Sequence, residues 1–345
     1  MTRRQGLFRM LAGGLVLVAM GQQAAMAEPD QPAKVAFSQP TLPNSGPAMP
    51  YGSYARGCMS GAVALPTDGP TWQAMRLSRN RRWGNPAMIK TIEQLSRDAT
   101  AIGWPGLLVG DIAQPRGGPM ANGHASHQVG LDADIWLTPM PSKRLTAQQR
   151  EDLPFTSMIL KDKFLTINPQ TWTPTHAKLL MLAARYPQVE RIFVNPTIKK
   201  KLCESWTGDR TDMGKIRPIY GHDAHFHIRL SCPPGAAGCK PQAKVPAGDG
   251  CDKSLAWWFT KEPWEQKKRD PNAKPPPPPR PVMVSDLPKA CAAILEAPAV
   301  ASEKQATYGG AKAFTNAGGA AVRSSAAGDD GPQPSEDVPA AAPPP

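Results

Sequence analysis

The sequence is poor in three things: long apolar runs, closely paired cysteines and histidine. The apolar run Met10 to Met20 is short of the ~20 residues that a helical bilayer span needs, and no other segment comes nearer. No pair of cysteines has C-x-x-C spacing, so thiolate ligation of zinc lacks its usual pattern. No internal repeat is present. Acidic residues are also in deficit, 28 against 40 Lys and Arg, for a formal charge of +12. A surface so basic suits nucleic acid, anionic lipid or an anionic polymer, and the compartment decides between them.

Residues 1–27 speak to the compartment. Arg3, Arg4 and Arg9 form a positive leader, Met10 to Met20 an apolar segment, and Ala25-Met26-Ala27 an A-x-A cleavage site before Glu28. This pattern is expected to be a secretory signal peptide. The residues around Arg3-Arg4 do not fit a twin-arginine signal. Export excludes nucleic acid as the natural partner and leaves no membrane span after cleavage. Six cysteines, Cys58, Cys203, Cys232, Cys239, Cys251 and Cys291, suit an oxidising compartment and suggest three disulfides. Spacing leaves about fifteen pairings open. Cys232 and Cys239 bracket a Pro-Pro-Gly-Ala-Ala-Gly turn and are placed to pair locally.

Residues 28–56, rich in Pro, Gly, Ser and Ala, read as an extended N-terminal arm. Asn85-Pro86 reads as the cap and first turn of a helix with Ile89, Ile92, Leu95 and Ala99 on one face. Gly106 to Ile112, Leu131 to Leu137, Val189 to Val194 and His225 to Cys232 read as strands. Thr146 to Leu153, Pro174 to Tyr186 and Pro196 to Trp206 read as helices, with shorter ones at Leu255 to Phe259 and Asp286 to Leu295. Residues 263–285 hold a polyproline spacer, and 298–345 read as a disordered tail rich in Pro and Ala. One domain over 57–297 is expected, an α+β fold in which an antiparallel sheet carries the site and helices flank it.

Histidine occurs six times, and five copies fall in two stretches: Gly123 to Asp134, with His124 and His127, and Gly221 to His227, with His222, His225 and His227. The sixth, His176, sits in an ordinary helix. Alternation in a strand puts Leu131, Ala133 and Ile135 on one face and Asp132 and Asp134 on the other. It likewise separates Phe226, Ile228 and Leu230 from His225 and His227. Two such strands side by side bring an Asp pair and a His pair onto one surface. Gly130 permits a turn that carries His127 to the same place. Two His and one Asp with an open fourth position form a common zinc set in hydrolases, and a spare His can serve as the base.

Gly-His-Ala-Ser-His-Gln-x-Gly-x-Asp-x-Asp with Ala-His-x-His resembles the penicillin-insensitive murein endopeptidase family. These are exported zinc peptidases related to lysostaphin-type enzymes, D-Ala-D-Ala carboxypeptidases and the sonic hedgehog domain. The likeness spans roughly residues 50–295 and includes Gly110-Asp111, Gly117-Gly118, Arg191 to Pro196 and Gly248 to Cys251. It implies Zn2+ held by His127, Asp134 and His227, with His124 beside them for a second ion. It implies His225 as base or transition-state donor, with His222 flanking. The second ion's remaining ligands are incomplete, because Asp162 has no histidine after it before His176. The resemblance also implies bridges Cys58–Cys291, Cys203–Cys251 and Cys232–Cys239. The implied substrate is peptidoglycan in the periplasm, cut at D-alanyl–meso-diaminopimelyl cross-links without sensitivity to beta-lactams. A carboxypeptidase and a zinc-holding peptidoglycan-binding module without turnover are the alternatives. Arg116 is a candidate clamp for substrate carboxylates.

Overall fold

The computed structural model describes residues 1–2, 30–163, 165–265 and 277–309. The expected signal peptide thus lies almost wholly outside the described residues, as do 266–276 of the spacer and 310–345 of the tail. The elements among the described residues lie between Ala33 and Ala306. The strands are β1 Met49–Ser53, β2 Arg56–Ser60, β3 Val63–Ala64, β4 Asp68–Gly69, β5 Trp72–Ala74, β6 Trp83–Gly84, β7 Leu107–Val109, β8 Asp132–Trp136, β9 Val189–Val194, β10 Ile216–Pro218 and β11 His225–Leu230. The helices are α1 Ala33–Ser38, α2 Pro86–Ala101, α3 Ala147–Asp152, α4 Pro174–Ala184, α5 Pro196–Ser205, α6 Lys253–Trp257, α7 Ala290–Glu296 and α8 Glu303–Ala306.

Seven strands form the main sheet in the order β10-β9-β11-β8-β7-β5-β4. The expectation of an antiparallel sheet holds for its centre, where β9, β11, β8 and β7 alternate in direction. It fails at the flanks: β5 runs parallel to β7, and β10 runs parallel to β9. The reason lies in the connections. Helix α2 lies between β5 and β7 in the chain, and α5 between β9 and β10, and a crossover helix returns the next strand in the same direction.

One face of the sheet is the core. Ala133, Ile135, Phe226, Ile228, Ile192 and Val194 pack there with Ile89, Ile92 and Leu95 of α2 and Leu179 and Leu180 of α4. Asn85 caps α2 as its sequence suggested, accepting from the backbone N of Ala87 at 3.0 Å. The three disulfides are Cys58–Cys291, Cys203–Cys251 and Cys232–Cys239, the pairings that the resemblance implied.

Two low-complexity stretches are better packed than their composition suggested. The arm expected to be extended contains α1, whose Ala33, Ala36 and Phe37 are buried against Cys58, Leu287 and Cys291. Their i, i+3, i+4 spacing was masked by the surrounding prolines. The start of the expected disordered tail forms α8, where Ala306 and Val300 are buried and Tyr308 N donates to the Ala64 carbonyl at 2.9 Å. Arg116 is also corrected. It is buried, and its guanidinium donates to the carbonyls of Leu42, Ile294 and Leu295. It braces the end of α7 and has no fork left for a substrate carboxylate.

Candidate metal centre

The site sits on the face of the sheet opposite the core. Strands β8 and β11 pair so that His227 lies directly across from Asp134, Arg229 across from Asp132 and His225 across from Trp136. A shift of one residue would send these side chains into the core, so burial of Ile135 and Phe226 pins the register. His127 reaches the same place through the turn at Gly130, where φ is +70° and a Cβ would lie 2.1 Å from Met59 Sδ. His127 itself adopts φ 66°, a conformation costly for a residue with a side chain and typical of functional positions.

Asp134 is the hub. Its Oδ1 lies 3.4 Å from His127 Nε2, 3.6 Å from His225 Nε2 and 3.8 Å from His227 Nδ1. Its Oδ2 lies 3.6 Å from His124 Nδ1. Ligand atoms of His124, His127 and Asp134 all fall within 4.8 Å of one another.

The tautomers follow from the outer partners. His127 Nδ1 sits 2.7 Å from the Ile112 carbonyl, which only accepts, so Nδ1 carries the proton. His227 Nε2 donates to Asp132 Oδ1 at 2.7 Å, and His124 Nε2 donates to Asp111 Oδ2 at 3.0 Å. Each ring, when neutral, therefore turns its other nitrogen, the one with the lone pair, toward Asp134. Outer acceptors of this kind are how proteins orient histidine ligands. His127 Nε2 and Asp134 Oδ1 are buried and have no hydrogen-bond partner, which buried polar atoms rarely lack. Lone pairs and a carboxylate oxygen aimed at one buried point fit a divalent cation.

Electrostatics agree. Burial disfavours charge on His127, yet Asp134 and Asp132 outweigh it and hold its pKa up at about 9. Burial takes His227 down to about 3, with His127 adding to the effect and Asp132 opposing it. The carboxylates thus draw one proton onto His127, and a metal ion would compete with that proton. Burial also opposes charge on Asp111, but His124, Arg81 and Arg79 overcome it and hold it near 2. Asp134 is held well below its ordinary value despite complete burial, by His225, His127 and His124.

The remaining candidates are placed unequally. His225 is half-buried, with its ring centroid 4.8 Å from that of His222. His222 donates from Nδ1 to the Tyr220 carbonyl at 2.8 Å, and burial, then His225, lowers it to about 4. Gln128 is spent on the backbone of Ala55, Gly57 and Ala125. Asp162 is exposed in a bend, and Asp111 is the carboxylate beside His124. Three participants carried no role in the sequence reading. Asp111 comes from the loop after β7 and orients His124. Arg229 donates from Nε to Asp132 Oδ1 at 2.7 Å, and its position two residues after His227 on the same strand face was a signal for it. Phe155, half-exposed, packs tilted against Trp136 with ring centroids 4.4 Å apart, and its centroid lies 6.4 Å from that of His225.

Residues 50–296, which contain both histidine stretches and all six cysteines, match the family described as penicillin-insensitive murein endopeptidase. The chain belongs to that family. A penicillin-insensitive murein endopeptidase of Haemophilus influenzae is 47% identical over 221 residues, 64% of this chain and 77% of that protein. One from Klebsiella pneumoniae is 38% identical over 273 residues, 79% of this chain and 95% of its own. One from Escherichia coli is 37% identical over 278 residues, 81% and 97%. Helix α8 lies beyond the stretch that the murein endopeptidase family shares.

Proposed function

We propose that the protein is an exported zinc endopeptidase that hydrolyses D-alanyl–meso-diaminopimelyl cross-links of peptidoglycan in the periplasm. The observation that carries this reading is the convergence of three oriented histidines on the buried carboxylate of Asp134, in a chain of the murein endopeptidase family. His127 Nε2, Asp134 and His227 Nδ1 would hold the zinc, with His124 adjoining, and nitrogen and carboxylate donors suit that ion. When bound, it would supply a Lewis acid and an acidified water.

The chain's own groups do the rest. Asp132, Asp111 and the Ile112 carbonyl keep the three rings in their ligating tautomers. His225 takes a proton from the attacking water at Nε2 and returns it to the leaving amine. His222 stays neutral and presents Nε2 as an acceptor beside His225. The basic surface favours the anionic peptide stems, and the signal peptide at 1–27 delivers the chain to them. No serine is acylated in this scheme, so beta-lactams have no target.

The test is mass spectrometry of sacculi digested with purified protein. Cross-linked muropeptides should become monomers, EDTA should stop this, and penicillin should not. Loss of terminal D-alanine alone would make it a carboxypeptidase, and binding without product a binding module. Cleavage that persists in His127→Ala would sink the ligand assignment.

A further inference from the structure

A group of aromatic rings adjoins the metal centre and has no part in the chemistry above. Trp257, Trp258, Phe259 and Trp264 fall within one short segment, and Tyr220 joins them in space. All five are half-buried, and none belongs to the hydrophobic interior among the described residues. Tyr220 and the three tryptophans pack on one another instead. Tyr220 meets Trp258 edge-on at 4.8 Å and Trp264 at 5.0 Å, and Trp257 meets Trp258 at 5.3 Å. Their orientations are pinned: the Tyr220 hydroxyl donates to the Pro263 carbonyl, and Trp264 Nε1 donates to the Trp258 carbonyl at 2.8 Å. Lys200 Nζ sits 4.6 Å from the centre of the Phe259 ring, steadying it from one side.

Phe259 and Trp264, with Leu165, line a cavity of about 580 Å3 whose rim is Thr260, Lys261 and Glu265. Tyr220, packed on Trp264, links this wall to the histidines. The Tyr220 carbonyl holds His222, and the His222 ring lies 4.8 Å from that of His225. The lining supplies fixed aromatic surfaces and a polar edge. Its two charges, Lys261 and Glu265, cancel, so it does not select an anionic peptide stem. A pyranose ring matches it, with an apolar C–H face for the aromatics and hydroxyl and acetamido groups for the rim. Because the rings are already locked, little ordering is lost on binding.

We infer that this cavity is a sugar subsite that takes an N-acetylhexosamine of the glycan strand while the stem peptide lies across the histidines. The inference rests on the murein reading proposed above. It makes the enzyme read its polymer at two places, the scissile peptide and the attached sugar.

The test uses the full chain and chitotetraose, a peptide-free tetramer of N-acetylglucosamine, in isothermal titration calorimetry. The native protein should bind it, and Trp264→Ala and Phe259→Ala should each weaken binding about five- to ten-fold. Phe259 guards the test should Trp264→Ala disturb Tyr220 and the fold, which circular dichroism reports. In kinetics, the ratio of kcat/KM on sacculi to that on a glycan-free cross-linked peptide should fall by a similar factor in both variants, through KM. No heat from the native protein, equal affinity in both folded variants, or an equal loss on the glycan-free peptide would each overturn the subsite. Native protein that binds chitotetraose yet cleaves no cross-link would support the subsite and refute the peptidase reading instead.

Discussion

Replacing Asp132 by Asn keeps the shape of a buried side chain and removes its charge. In the native protein Oδ1 accepts from His227 Nε2 and from Arg229 Nε, both at 2.7 Å, while Oδ2 accepts from the backbone N of His127 at 3.1 Å. An asparagine amide has one acceptor oxygen. Facing His227 and Arg229, that oxygen keeps two bonds, and the amide nitrogen then opposes the His127 N–H. Facing the other way, the nitrogen opposes two donors. The first orientation wins; it sets a neutral oxygen against the Arg229 guanidinium and leaves His127, already at φ 66°, without its backbone anchor. Removing one partner of a buried ion pair costs about 3–5 kcal/mol. Arg229 keeps Gln242 Oε1 at 3.0 Å and the Tyr54 ring at 4.2 Å, so the expected loss is at the low end, about 3 kcal/mol. Metal affinity should fall about 10–100-fold as well, because His127 loses its backbone anchor and His227 Nε2 then donates to a neutral oxygen in place of a carboxylate. Urea unfolding reads the first effect, and competition against a chromophoric chelator reads the second. A folded variant that binds metal within about two-fold of native would refute the positioning role of Asp132.

Three further outcomes are expected. His225→Ala should retain metal and fold while kcat drops about 10²–10⁴-fold, read by cleavage rate beside metal content. Joint replacement of Cys58 and Cys291 by Ser should lower stability by at most about 5 kcal/mol in the chain-entropy model, since the bridge closes a separation of 233 residues, and thermal unfolding measures it. Lys199 should leave a pH signature. Burial first, then Arg217 and Arg210, lowers it to about 7 against the pull of Asp249, with Nζ donating to the Met213 and Asp249 carbonyls. The unfolded chain holds that proton to about pH 10.4, so between the two values it binds more protons and native stability rises with pH, by up to about 1.4 kcal/mol per unit. Unfolding curves of Lys199→Met across that window should lack this share of the slope; an unchanged slope would show that Lys199 is not its source.

Much of the site was legible before folding was considered. Side chains alternate on a strand whatever its neighbours, so Asp132 with Asp134 and His225 with His227 had to share faces opposite Ile135 and Phe226. Apolar spacing likewise marked α2, and Asn85 marked where it begins. These are local properties, carried by a few consecutive residues. Rings, carboxylates and guanidinium groups from distant segments are different. That β8 and β11 pair with His227 across from Asp134 is a matter of the hydrogen-bond ladder. So is the parallel direction of β5 and β10, which depends on where the chain returns after a helix. Arg116 read as a substrate clamp because the carbonyls it braces, those of Ile294 and Leu295, arrive from the far end of the chain. Asp111 and Ile112 take their roles only when the loop after β7 meets the rings of His124 and His127. The sequence by itself thus determined on which strand face the paired aspartates and the paired histidines stand. Tertiary structure alone decided which nitrogen of each ring faces Asp134, because a tautomer is set by an acceptor that folding brings from elsewhere.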